Sequence, residues 1–323
     1  MSTVLLTFSY KSVIILIKYT KTIIWYINLY INGDDMEIKE QAHAKINLGL
    51  EVLSKRPDGY HDVHMVMQSL ALCDEVTIRK RADGLIKVCT SKEELKDDQT
   101  NLAYKAAQAF RTFVGKNYGV EISIDKKIPM AAGLAGGSAD AAAVLRGMNR
   151  LFGEKLTDRE LCDVGVTIGA DVPFCIIEHT AIAEGIGEKL TPLPMKLNCS
   201  ILLVKPYFGV STKAVYEAFD SSDGNKVNIQ GIVDGIHNQD WNECFAAMGN
   251  DLESVTIGLY PKVGEIKEEL KACGADYVLM SGSGPTVFAV FLDDMICQKA
   301  YESMKKLPYE KIVEKTSFML ADE

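Results

Sequence analysis

The stretch Pro129-Met130-Ala131-Ala132-Gly133-Leu134-Ala135-Gly136-Gly137-Ser138-Ala139 constrains this chain more than any other part of it. Glycines admit positive φ and lack a Cβ, so backbone N–H groups can converge on a bulky anion. An alanine-rich run, Ala141 to Leu151, follows, and the whole reads as strand, glycine loop and helix. A helix N-terminus placed there turns unpaired N–H groups and a positive dipole end toward a phosphate. Ser138 adds a hydroxyl, directed at the phosphates or at a magnesium ion held on them. The loop is neither a Walker A sequence, since no Gly-Lys-Ser/Thr follows the glycines, nor the dinucleotide fingerprint Gly-x-Gly-x-x-Gly. Taken alone it fits a phosphate cradle or a ligand-free connection.

Two other segments carry chemistry. Ala44-Lys45-Ile46-Asn47-Leu48 places a lysine and an asparagine on one face of a strand. A lysine in an apolar strand must snorkel, pair or work. Gly169-Ala170-Asp171-Val172-Pro173-Phe174 puts a carboxylate in a tight bend, expected between a helix and an apolar strand. An acid there needs a cation or several N–H donors, or else serves as a cap or turn residue. If Lys45 and Asp171 meet beside the glycine loop, they form a phosphoryl-transfer site. Asp171 would accept the proton of an attacking hydroxyl, and Lys45 would hold it ionised and offset charge on the transferred group.

The remaining pattern is α+β. Strands are expected at Ala44 to Leu53, through Val63 to Ile78, at Val120 to Ile124, Ser200 to Val204, Tyr277 to Met280 and Val287 to Phe291. Helices are expected from Asn101 to Phe113, after the capping box Thr157-Asp158-Arg159-Glu160, from Ser211-Thr212 to Phe219, and from Pro261 to Gly274. Thr191-Pro192-Leu193-Pro194 marks a domain joint, and Asp220 to Gly235 reads as a long polar loop. The division expected is 1–35 as an N-terminal extension, 36–194 as one domain and 195–323 as a second.

Composition narrows the function. The formal net charge of −9 over 323 residues excludes a general nucleic-acid binder, which needs a basic face. The eight cysteines include no Cys-x-x-Cys pair and no His cluster at metal-ligand spacing, so they read as buried free thiols in a reducing cytoplasm. Ser12 to Ile31 is apolar enough to resemble a membrane segment, but Lys18 and Lys21 interrupt it. Residues 1–35 therefore read as an upstream extension from a misassigned start, with a tethering anchor as the lesser alternative. No membrane partner is expected.

Together these segments resemble the GHMP kinases, whose phosphate loop has the form Pro-x-x-x-Gly-Leu-Gly/Ala-Gly-Gly-Ser-Ser/Ala. Ala135 and Ala139 are the mild departures. A finer similarity, carried also by Arg56-Pro57-Asp58-Gly59-Tyr60-His61 and by Ala183-Glu184-Gly185-Ile186-Gly187-Glu188, is to the members acting on a cytidine-diphosphate-linked methylerythritol. It runs from about Met36 to the C-terminus. The resemblance implies a two-domain fold: an N-terminal mixed-sheet ATP-binding domain and a smaller C-terminal α/β-sandwich domain. It implies ATP and Mg2+ as cosubstrates, a cytoplasmic monomer or homodimer, and a place in non-mevalonate isoprenoid biosynthesis. Lys45 and Asp171 take the catalytic roles. Residues 129–139, with Asn101 and Lys126, line the nucleotide side. Asn47 and His61 hold the cytidine substrate, Tyr60 and Tyr216 sandwich its base, and Thr212 lies nearby. Ser281 to Thr286 matches a third, glycine-rich motif that closes the cleft. Another GHMP kinase, of homoserine or mevalonate type, and a catalytically silent nucleotide sensor are the competing expectations.

Overall fold

The computed structural model describes residues 37–92, 99–220 and 227–321, together with the strand backbones 4–9, 12–17 and 25–29. Strands β1 (Val4–Ser9), β2 (Ser12–Ile17) and β3 (Trp25–Leu29) pair antiparallel in a small sheet of their own. The apolar run from Ser12 is therefore extended where it is described, and the rest of it lies outside the described residues. Among the described residues no helix is long and apolar enough to cross a membrane.

The larger sheet grows from two long strands, β4 (Glu37–Lys55) and β5 (His61–Arg81), joined by the turn at Asp58-Gly59. Gly59 takes φ +89°, which a side chain would strain. β5 is long enough to hold two partners on its other edge. Its C-terminal half pairs with β7 (Gly119–Asp125), and its N-terminal half with β8 (Thr180–Gly185). β6 (Ile86–Thr90) lies parallel to β7, and β9 (Lys189–Pro192) closes a hairpin on β8. The mixture of parallel and antiparallel pairs is the one expected for the first domain.

Helices cover one face of this sheet. α1 (Leu102–Val114) begins at Asn101, whose side chain caps Ala103 N–H, and ends at Gly115 with φ +68°. α2 (Gly136–Phe152) follows the glycine loop and lays Ala141, Ala142, Val144, Leu145 and Met148 against the core. α3 (Asp158–Gly165) opens with the capping box formed by Thr157 and Glu160. Val172–Ile177 departs from expectation, because it is a short helix, α4, with Asp171 at its N-cap and Pro173 in its first turn. A run of six apolar residues fits a buried helix as well as a strand, and proline in the first turn favours the helix.

The second layer is the antiparallel sheet β12-β13-β10-β14, made by Tyr277–Met280, Val287–Phe291, Ser200–Pro206 and Lys311–Ser317. Around it lie α5 (Thr212–Phe219), α6 (Ile229–Asn238), α7 (Trp241–Ala247), α8 (Asp251–Leu259), α9 (Pro261–Ala272) and α10 (Asp294–Lys306). The expected polar loop from Asp220 is thus a helix from Ile229 onward, whose Ile229, Ile232 and Ile236 side chains are buried. The two-residue strand β11 (Gly249–Asn250) extends the large sheet beside β4.

Period-two alternation on β4 prepares the site. Ala44, Ile46 and Leu48 enter a core shared with Ile201, Leu203, Leu279 and Phe288 of the second sheet. Burying side chains such as Ile46 and Leu48 contributes about 2 kcal/mol each. The intervening Lys45 and Asn47 must then face the other way, into the cleft. Among the cysteines, all unpaired, Cys175, Cys199, Cys244 and Cys297 are buried as expected, whereas Cys89 is exposed.

Candidate active site

A cleft of about 1300 Å³ runs between the glycine loop, the β4–β5 hairpin and α5. Within the loop, Ala131, Gly133 and Ala135 all have positive φ, at +46°, +73° and +55°. Ala135 is the N-cap of α2 and offers no side-chain cap. The first helical bond at this end runs from Ala139 N–H to the Ala135 carbonyl, at 2.9 Å. Helix geometry then leaves the N–H groups of Gly136, Gly137 and Ser138 without an intrahelical acceptor, turned toward the cleft wall they line. Ala139, directly after them, has its side chain buried in the core and its N–H bonded inside the helix.

The loop is fastened on both sides. Lys45 N–H donates to the Leu134 carbonyl at 3.1 Å, tying β4 to the cradle through the main chain. The β4–β5 register slips between His43 and Lys45 and again between Asn47 and Gly49, so this stretch is flanked by bulges. From the second layer, Ser281 Oγ donates to the Gly133 carbonyl at 3.0 Å. Asn250 steadies that contact, its amide donating to the Met280 and Gly282 carbonyls at 2.8 and 2.7 Å. The Ser281–Thr286 loop therefore docks on the cradle, and Gly282 and Ser283 line the cleft.

Lys45 and Asp171 meet here. The Lys45 ammonium lies 3.6 Å from Asp171 Oδ2, with the lysine side chain 6% exposed and the aspartate 34% exposed. Lys45 Nζ also donates to Asn47 Oδ1 at 3.0 Å, and Asn47 is fully buried. A sheltered ammonium, an accessible carboxylate and a row of open N–H groups thus share one wall. Such a group can hold a polyphosphate, orient a hydroxyl and take up its proton.

Lys126 and Asn101 both line the cleft, and Lys126 is buried. Its ammonium is buried between two carboxylates, touching Asp74 Oδ2 and standing 2.6 Å from Asp140 Oδ2. Asp74 Oδ1 accepts from the Lys127 and Ile128 N–H groups at 2.5 and 2.8 Å, which fixes the corner leading into the loop. Burial opposes the charge on Lys126, yet Asp140 and Asp74 together raise its pKa. Asp140 responds oppositely: burial pushes its carboxyl up to about 7 despite the ammonium, and its Oδ1 has no hydrogen-bond partner.

At the other end, Tyr60 stands 57% exposed at the hairpin tip, while burial drives the Tyr216 hydroxyl well above its ordinary pKa. The His61 ring rests on Tyr216 with centroids 4.7 Å apart. Thr212 Oγ1 is 2.8 Å from Ser283 Oγ. Lys55 and Asp220 join this end unannounced by any motif, because their sequence separation hides a purely tertiary contact. All the expected site residues except Ala139 line the one cleft.

Similarity to known proteins agrees with this architecture. The family profile of the GHMP kinases N terminal domain matches residues 101–179, and that of the GHMP kinases C terminal matches 232–310. The 4-diphosphocytidyl-2-C-methyl-D-erythritol kinase of Bacillus pumilus (strain SAFR-032) is 47% identical over 270 residues, covering 84% of this chain and 93% of that protein. A crystal structure of 4-(cytidine 5'-diphospho)-2C-methyl-D-erythritol kinase superposes with a TM-score of 0.72 at 30% identity, covering 87% of this chain and 99% of that one. A homoserine kinase from Cytophaga hutchinsonii shares the fold, with a TM-score of 0.75 at 22% identity, covering 90% of this chain and 98% of its own. The chain belongs to the GHMP kinases, a family of ATP-dependent small-molecule kinases, and among them to the 4-diphosphocytidyl-2-C-methyl-D-erythritol kinases.

Proposed function

We propose that this enzyme transfers the γ-phosphoryl group of ATP to the 2-hydroxyl of 4-diphosphocytidyl-2-C-methyl-D-erythritol, a step in non-mevalonate isoprenoid precursor biosynthesis. The observation that carries the chemistry is the 3.6 Å approach of Lys45 to Asp171 at the mouth of the glycine loop. The 47% identity to the Bacillus pumilus enzyme supports the choice of acceptor.

Asp171 takes the proton of the attacking hydroxyl as its oxygen bonds to the γ-phosphorus, and ADP leaves with the electrons of the broken P–O bond. Lys45 orients Asp171 and draws charge from the transferred group, while Asn47 holds the ammonium in place. The N–H groups of Gly136, Gly137 and Ser138 cradle the phosphates, with the rest of 129–138 shaping the wall; Asn101 and Lys126 border the adenosine. Asn47, His61 and Thr212 border the acceptor, and Tyr60 and Tyr216 flank the cytosine, where stacking contributes about 1–3 kcal/mol per base.

A magnesium requirement fits the donor set. Among the described residues no group of three His, Cys, Asp or Glu side chains could hold a metal alone. The Ser138 hydroxyl, beside the phosphates of a bound nucleotide, would offer a hard oxygen ligand of the kind this ion accepts. When bound, the ion supplies neutralisation of phosphate charge. We place the domain division at 194/195 and the enzyme in the cytoplasm, as a monomer or homodimer.

The test is a phosphorylation assay with ATP and magnesium comparing the cytidine compound, homoserine and mevalonate as acceptors. Turnover confined to the cytidine compound is expected. Preference for either other acceptor, or ATP binding without transfer to any, overturns the assignment.

A further inference from the structure

Three polar side chains join across the acceptor end of the cleft. Asp220, directly after α5, accepts from His61 Nε2 at 2.7 Å and from Lys55 Nζ at 2.6 Å. Lys55 and His61 are partners at the hairpin end of the β4–β5 ladder. Asp220 extends the helix that carries Thr212 and Tyr216. The contact therefore bridges the two elements between which Tyr60 and Tyr216 stand, and the His61 ring it holds is the one resting on Tyr216.

The two bonds differ in weight. Lys55 is 57% exposed, so its pair with Asp220 is screened and held by a flexible stem. The His61 side chain is 7% exposed, and a sheltered hydrogen bond to a carboxylate is the stronger kind. A carboxylate only accepts, so the bond places a proton on Nε2 and fixes the plane of the ring. Lys55 and His61 together hold the Asp220 carboxyl below its ordinary pKa.

We infer that Asp220 is a positioning residue, fastening α5 to the β4–β5 hairpin and thereby setting the spacing and tilt of the aromatic walls that receive the nucleobase. This rests on the reading that those walls take the cytosine of the acceptor. Asp220 touches no reacting atom, so its effect falls on acceptor affinity rather than on phosphoryl transfer.

The test compares wild type with Asp220→Ala, Asp220→Asn and Lys55→Met in steady-state kinetics, and in hydrogen exchange of the ligand-free proteins. Asp220→Ala is expected to raise KM for the cytidine acceptor ~10-fold, with kcat and the KM for ATP within ~2-fold of wild type. Asp220→Asn, whose amide oxygen still accepts from Nε2–H, recovers most of that loss. Lys55→Met shifts the acceptor KM by no more than ~2-fold. Amides of the hairpin around 55–61 and of α5 are expected to exchange ~5-fold faster in Asp220→Ala. An unchanged acceptor KM, an equal rise in both KM values, or unchanged exchange overturns the inference. If wild type fails to phosphorylate the cytidine compound, the acceptor assignment fails, and the exchange measurement alone judges the fastening.

Discussion

Gly133 and Ser281, far apart in the chain, approach so closely that a Cβ built on Gly133 would lie 2.3 Å from the Ser281 carbonyl oxygen. The glycine is also at φ +73°, so space and backbone conformation exclude a side chain independently. Gly133→Ala must push the Ser281–Thr286 loop off the cradle or distort the cradle itself. The expected result is at least a ~100-fold fall in kcat/KM with destabilisation of about 2 kcal/mol. Kinetics with urea unfolding measure both, and near-normal values for this variant would contradict the docking of the two loops.

Asp171→Asn keeps the shape of the α4 N-cap while removing the carboxylate proposed to accept the proton. Turnover is expected to fall by ~10²–10⁴-fold, with the ATP dissociation constant changed by less than ~3-fold. Single-turnover kinetics beside calorimetric ATP titration separate these effects. Activity close to wild type would assign Asp171 a structural role only.

Tyr60 buries little of itself against the protein, so its truncation acts on bound ligand more than on folding. Tyr60→Ala is expected to raise the KM for the cytidine acceptor ~10-fold or more while leaving that for ATP nearly unchanged. Equal changes in the two constants would argue against stacking at this position.

Ala135 holds φ +55°, a left-handed conformation that costs an alanine about 1 kcal/mol. Ala135→Gly relieves that cost, partly offset by greater freedom in the unfolded chain. The variant is expected to be as stable as wild type or up to about 1 kcal/mol more stable. A clear loss of stability in denaturant titrations would mean that the methyl group contributes packing outweighing its strain.

The Asp140 carboxyl is raised by burial from 3.8 to about 7 in the folded protein. A folded-state value above the unfolded one means that its contribution is fully present below pH 3.8 and lost as pH rises through about 7. Ligand-free Asp140→Asn should accordingly show a flatter stability profile across that window. Urea midpoints measured at successive pH values test this, and parallel profiles for the two proteins would remove Asp140 as the source.

Much of this site was legible in the chain itself. The glycine loop announces an anion cradle, and alternation around Ala44, Ile46 and Leu48 turns Lys45 and Asn47 to one face. Asn101 and Thr157 declare their helix starts through local capping chemistry. What escaped was tertiary or ambiguous. Val172–Ile177 is too short for periodicity to separate helix from strand. Ile229–Asn238 sits beside a polar stretch that masks its buried isoleucines. The burial of Lys126 carries no local signal, because Asp74, 52 residues away, reaches it only after folding. Where the first helical hydrogen bond closes, at Ala139, is likewise not stated by a motif.

The hydrogen bond from Lys45 to Leu134 involves no side chain on either residue. The spacing of β4 from the glycine loop is thus inherited from the polypeptide, and an isosteric apolar exchange at Leu134 leaves it intact. Side chains at the hairpin end of the groove can therefore change while that main-chain tie stays as it is.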